Sequence, residues 1–310
     1  MFRYIYIAVV SFATVFALLL LSGIFSASRP ALHGVINSIP LYMCSFVLLL
    51  TVLAHVFFGS SGRILARVPL LLSLLLLAAG YWVGGLMSFS LEAVITEGQS
   101  VVIPDTQGSF RPLYVGKYAK LPPMSLMLLE LNPEFSADGN SIESLSGSFV
   151  VSPHEGKEFD VVLDMDGSFS ARGYSLSMEG FGYSPRYVLN SGGKVLDSSF
   201  VYMRLFPCGG EDFFRLLSPL TYYLSYHPEG VESEYFHVRV ARNKDLVFDG
   251  DVFLGEAFSF ENATMSIPEV RRWTKLRVEG NPGRPYLAAG LMLLLLAAFI
   301  EFRNWILRRR

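Results

Sequence analysis

The amino-acid sequence predicts an integral membrane protein with four transmembrane α-helices, three N-terminal and one C-terminal, and one all-β extracytoplasmic domain. Three observations lead there. The 310 residues are 52% hydrophobic and only 17% charged, where soluble globular chains carry about a quarter charged residues. Mean hydropathy is +0.41, and the apolar residues are concentrated in 4–90 and 286–300. Between those stretches the pattern changes to a period of two, broken by Gly, Asn and Asp turns, which is the signature of short antiparallel strands.

A bilayer core of about 30 Å takes roughly 20 apolar residues in a helix. Tyr4–Phe25 meets this without a charge, and Ile39–Phe58 meets it with His55 as its one ionisable residue. Val68–Phe89 is the third run, with Tyr81 and Trp82 as aromatic anchors in its second half. Tyr286–Ile300 is shorter and extends towards Trp305, with Glu301 at the water boundary. The implied organisation is a three-helix membrane region over 1–90, a β domain over 91–284, and a C-terminal helix with a basic tail over 285–310.

Basic residues orient the chain, because cytoplasmic loops carry an excess of Lys and Arg. Arg3, the pair Arg63 and Arg67, and the closing Arg303, Arg308, Arg309 and Arg310 all belong on the cytoplasmic side. Residues 91–284 then lie outside. Ser26-Ala27-Ser28 offers a competing reading as a signal-peptidase site, set second by the sparse n-region and the long apolar run that precede it.

Within the outer domain, Phe159–Leu163, Phe169–Met178, Tyr235–Ala241 and Leu246–Phe248 read as strands. Asp166-Gly167, Asn190–Lys194, Arg242–Asp245 and Asp249-Gly250 read as turns. One helical piece is expected, over Glu211–Tyr223.

The function classes narrow by exclusion. Net charge is −2, without the basic stripe a nucleic-acid surface needs. Cys44 and Cys208 sit in different environments, and no CxxC, CxxCH or zinc spacing occurs. No catalytic triad, metal set or carboxylate pair is visible, so an enzyme is not expected.

Two candidate sites remain. His55 is an ionisable side chain in a membrane run, a costly placement that marks contact with protein, water or a ligand; imidazole is also an axial ligand for haem iron. The competing reading is a histidine that hydrogen-bonds locally near the headgroups. The second site is Arg271, Arg272, Lys275 and Arg277 around Trp273, shortly before the last apolar run. Such a cluster contacts lipid headgroups, haem propionates or an acidic partner, or else is a solvated strand edge with Trp273 as an interfacial anchor. His154, His227 and His237 read as structural or solvent-facing, and Asn262-Ala263-Thr264 matches a glycosylation acceptor.

Two passages carry a family resemblance. One is Gly84-Gly85 followed by Val94–Val101 (VITEGQSV). The other runs from Arg272-Trp273 through Arg277-Val278 to Asn281-Pro282-Gly283-Arg284-Pro285, preceded by Gly250–Phe260. In these and in its layout the chain resembles the ResB-like cytochrome c biogenesis proteins of system II. It departs from them in having Asn281 where the family has aspartate, and in having no histidine on its third apolar run. The resemblance implies a non-catalytic subunit of a haem-export and cytochrome c maturation complex in the bacterial inner membrane, multi-pass, with its large domain on the periplasmic side. The implied partners are a CcsA-type haem-handling membrane protein and apocytochrome c. The implied cofactor is haem shared with the partner, with His55 as the ligand this chain would offer. The competing class is a structural or assembly subunit of another membrane complex without haem contact.

Overall fold

The computed structural model describes residues 64–309 apart from 105–109, 137–140, 166, 172, 208, 217–218, 229–233 and 244. The expected spans Tyr4–Phe25 and Ile39–Phe58, with His55, lie outside the described residues.

The expectation of four membrane-spanning helices is corrected. The described chain is mostly strand and holds two helices, α1 (Ile64–Met87) and α2 (Arg284–Arg309). Among the described residues, only Val68–Met87 is long and apolar enough to cross a membrane; the apolar stretch Arg284–Ile300 of α2 is shorter. The β-domain part of the expectation fits.

The two helices lie antiparallel and pack through small residues. A Cβ on Gly80 would come within 2.8 Å of Leu287 Cγ, and one on Gly290 within 2.8 Å of Leu77 Cγ. A Cβ on Gly283 would collide with the carbonyl of Gly80, and Gly84 abuts the Asn281 side chain. Leu77 and Gly84, and likewise Gly283 and Gly290, are seven residues apart, so each pair stays on one helix face.

The strands form three antiparallel sheets. The first has the order β3 (Phe110–Val115), β1 (Phe89–Thr96), β15 (Ala263–Gly280), β8 (Tyr174–Ser191) and β7 (Ser168–Ala171). On its flanks β14 (Ala257–Phe260) pairs with β15, and β9 (Lys194–Phe200) with β8. The second is β2 (Ser100–Ile103), β4 (Met124–Phe135), β5 (Ile142–Pro153) and β6 (Phe159–Asp164). The third is β10 (Glu211–Arg215), β11 (Leu220–His227), β12 (Tyr235–Arg242) and β13 (Asp245–Phe253).

Alternation makes these strands. In β12, Phe236, Val238 and Val240 are buried while Tyr235, His237 and Arg239 are only partly covered, as the two faces of a pleated strand require. Leu126, Leu128 and Leu131 from β4, Phe149 from β5, Leu176 from β8, Leu276 from β15 and Phe236 belong to one continuous core. The Asn190–Lys194 turn is present, with Gly192 and Gly193 at φ +58° and +78°. Positive φ at both central residues suits a two-residue hairpin and costs glycine little.

Three local expectations fail for physical reasons. Glu211–Tyr223 is not helical: β10 pairs with β11 from Glu211↔Ser225 to Arg215↔Thr221, so sheet pairing overrides helix propensity. Phe169–Met178 is not one strand, because the chain reverses between β7 and β8 at Gly173, whose φ is +86°. Asp249-Gly250 is not a turn but the middle of β13, where Asp249 lies 3.2 Å from His237 Nε2 on the neighbouring strand.

One residue, Ser88, separates α1 from β1, and residues 281–283 separate β15 from α2. Since Phe89 pairs with Gly280, the helix pair and the β1/β15 ladder form one joint. Asn281 closes it: its Oδ1 accepts the Gly283 N–H at 3.0 Å, capping the start of α2 as an aspartate would.

Candidate functional site

The basic cluster lies on β15, a central strand with β1 on one side and β8 on the other. The edge-strand reading is therefore corrected. Neighbouring strands supply Lys275 and Arg277 with a carboxylate, and Arg271 takes one from its own strand. Lys275 Nζ lies 2.6 Å from Glu92, Arg277 Nη2 lies 2.9 Å from Glu179, and Arg271 Nε lies 2.6 Å from Glu269. Arg271 also stacks over Phe200 with its guanidinium 4.8 Å from the ring centre.

Arg272 belongs to a tighter knot around Glu97, in the turn after β1. The Glu97 carboxylate accepts the backbone N–H of Leu131 at 2.9 Å and that of Arg272 at 3.0 Å. Arg272 Nη1 donates to the Leu131 carbonyl at 2.7 Å, while the Arg271 guanidinium donates to the Glu97 carbonyl at 3.2 Å. Three strands from two sheets (β1, β15 and β4) are thus pinned by one carboxylate.

Trp273 is only 8% exposed, and its Nε1 donates to the Tyr183 and Met203 carbonyls at 3.1 and 3.0 Å. The interfacial-anchor reading of Trp273 is corrected: its indole is satisfied inside the domain and closes the gap beside Gly182, where a Cβ would meet the ring. Trp273 pairs with Thr96, seven residues from the Phe89↔Gly280 pair. That is about 24 Å from the helix joint at the rise of an antiparallel strand. Arg277, opposite Glu92, is three residues from the joint, roughly 10 Å by the same rise. The five residues named from sequence are thus one strand, of which Arg277 lies nearest the helices.

The histidines of the β domain stay apart. His237 sits between Asp251, 2.8 Å from Nδ1, and Asp249, 3.2 Å from Nε2. His227 stacks on Tyr235 at 4.7 Å. Among the described residues no group of three His, Cys, Asp or Glu side chains is arranged to hold a metal ion, and no imidazole lies on either described helix.

Buried tyrosines carry the electrostatic perturbations. Burial pushes the Tyr222 phenol up to about 12, with the Glu261 charge adding to it. Burial, then the hydrogen bond to Glu234 at 2.9 Å, raises Tyr226 well above its ordinary value. Burial and Asp197, at 2.6 Å, do the same for Tyr187. Each cause favours the neutral phenol.

Sequence reasoning missed Glu92, Glu97 and Glu179, which answer the cations from 98 to 183 residues away in the chain. It also missed the helix seam, although Gly80-x3-Gly84 and Gly283-x6-Gly290 stood in the sequence as a signal for close helix approach.

Fold and site together define a β domain carried on an antiparallel apolar helix pair, with a carboxylate-clamped strand joining them. No protein-family model and no curated protein sequence matches the chain.

Proposed function

We propose that this chain is a non-catalytic subunit of a haem-export and cytochrome c maturation complex, anchored in the cytoplasmic membrane with its β domain on the extracytoplasmic side. In this reading it holds a CcsA-type partner and presents apocytochrome c. The observation that carries the membrane part is the inverted burial of the helix pair. Gly283, Gly290 and Ala297 are buried, while Met292, Leu295 and Phe299 are 74%, 72% and 65% exposed. Large apolar side chains of α2 turned outward, with small residues at the seam opposite Leu77 of α1, suit lipid surroundings.

The haem-export part rests on the resemblance, and one feature supports it. The two passages that carry the resemblance lie almost 180 residues apart in the chain, yet they are the two sides of one joint. Gly84 abuts Asn281, Phe89 pairs with Gly280, and Thr96 pairs with Trp273. Residues shared with a family for such a reason make a scaffold, so the role proposed is to position partners.

Affinity purification of the full chain from cells with and without a CcsA-type protein tests the proposal. Co-purification of that protein, with a haem absorbance band present only in the complex, is the expected result. His55→Ala should then lower the bound haem and shift the Soret band at near-normal protein level, with partial recovery on adding imidazole. Failure of the two proteins to associate, with c-type cytochromes maturing normally in cells lacking this chain, would remove the haem-export reading.

A further inference from the structure

The loop between β3 and β4 does something that neither the sequence nor the cation row suggests. The last turn of an α-helix leaves carbonyls without partners in the helix. In α1, the Leu86 carbonyl accepts the Tyr118 N–H at 2.9 Å, and the Ser88 carbonyl just beyond accepts the Gly116 N–H at 2.8 Å. The turn closes on itself through Ala119 N–H to the Gly116 carbonyl at 3.0 Å. Gly116 is required here, because a Cβ would overlap the Leu86 carbonyl. Tyr114 adds a further tie, its hydroxyl donating to the Gly85 carbonyl. A loop distant in sequence is thereby fixed to the end of the helix.

What that loop presents is out of character for a water-facing surface. Tyr118 is 56% exposed and Val115 is 44% exposed, beside Leu86 and Met87 at the end of α1. Lys117 holds its ammonium 5.5 Å from the Tyr118 ring centre, and Lys120 follows, exposed. Val115 pairs with Phe89, which pairs with Gly280, so the loop lies level with the start of α2. There Tyr286 is 45% exposed and the Arg284 side chain is also open to solvent. Amphipathic aromatics and long cations ringing the ends of apolar helices are the pattern of a membrane–water boundary.

We infer that the turn Gly116–Ala119, with Val115, Lys117 and Tyr118, is a collar that seats the β domain on the headgroup layer of a bilayer. The inference rests on the membrane reading above. Its occupant is the lipid surface: Tyr118 and Val115 sit at the acyl boundary, and Lys117 and Lys120 meet anionic headgroups. The foot of the first sheet then lies at a fixed height, and the Glu97 knot stands clear of the membrane at the other end of β1.

Spin-label depth measurement on the full chain in nanodiscs containing phosphatidylglycerol tests this. With Cys44 and Cys208 changed to Ser, single labels go at Tyr118→Cys in the collar, Leu295→Cys on α2 and Val162→Cys on the exposed face of β6. Oxygen should reach the label at 295, and a water-soluble nickel chelate should reach the label at 162. The label at 118 should show nickel access several-fold below that at 162, at a depth between the other two. Nickel access at 118 equal to that at 162, with 295 still in lipid, overturns the collar and leaves the membrane reading standing. Full nickel access at 295 overturns both. Lys117→Glu combined with Lys120→Glu should lift the label at 118 towards water in anionic nanodiscs and not in neutral ones. An unchanged depth in both lipids would overturn the part assigned to charge.

Discussion

In the helix pair, glycines face the partner helix and the large side chains Met292, Leu295 and Phe299 face outward. In the β domain, Phe149, Tyr222 and Phe236 are at most 1% exposed, and charged pairs such as Lys275–Glu92 and Arg277–Glu179 line an outer face. The same chain therefore follows two opposite rules within a few residues of Ser88. Water drives large apolar groups inward and tolerates charge outside. Where the surroundings are themselves apolar that drive is absent, and close backbone approach decides packing. The change of rule falls at the joint of Ser88 and Asn281, and it supports the membrane reading proposed above.

The sharpest way to break this contrast is a pair of truncations. Phe236→Ala removes a fully buried ring and should cost about 3–5 kcal/mol. Leu295→Ala removes a larger exposed area than most surface changes do, and should still stay within about 0.5 kcal/mol. Urea unfolding in detergent, followed by near-ultraviolet circular dichroism, checks both, and comparable losses would end the comparison. Next in size is Gly283→Leu, which forces a side chain against Gly80 and should destabilise the helix pair by about 1–3 kcal/mol. Thermal melting of the full chain reads this, while the sheet spectrum of the β domain should persist to a higher temperature.

Glu97→Ala is expected to cost about 1–3 kcal/mol by leaving the Leu131 and Arg272 N–H groups without an acceptor, with Glu97→Gln losing less. A Glu97→Ala protein with unchanged melting would mean the knot contributes no net stability. The smallest effect is in alkali. Tyr222 is held neutral in the fold, with its pKa raised from 10.0 to about 12. The folded state binds that proton more tightly, so the contribution is intact below pH 10 and is lost as pH rises from 10 to 12. Tyr222→Phe should flatten the fall in that window, read as unfolding midpoint against pH.

Much of the β domain was legible because strand alternation is local. Tyr235–Ala241 shows its buried and open faces in seven letters, and Gly192-Gly193 announces a hairpin. The cation row was legible only as composition. Nothing near Arg271–Arg277 indicates that Glu92, Glu97 and Glu179 will meet it, since those meetings depend on strand order. Trp273 looked like an anchor because it precedes an apolar run, whereas β15 carries it about 24 Å back along the ladder. Of the four expected spans, Val68–Met87 is the one among the described residues that is helical, long and apolar enough to cross a membrane. His55 lies outside the described residues, so its role stands on the experiment above.

The joint at Ser88 and Asn281 has a mechanical consequence. Because α1 passes into β1 through one residue, and β15 into α2 through three, the helix seam and the β1/β15 ladder behave as a single lever with its fulcrum at the Phe89–Gly280 pair. A helix of 24 residues on one side, about 36 Å long, works against the arm of ladder that reaches Trp273 on the other. A change in the crossing angle of α1 and α2 would act on the β1/β15 ladder through Ser88 and through residues 281–283.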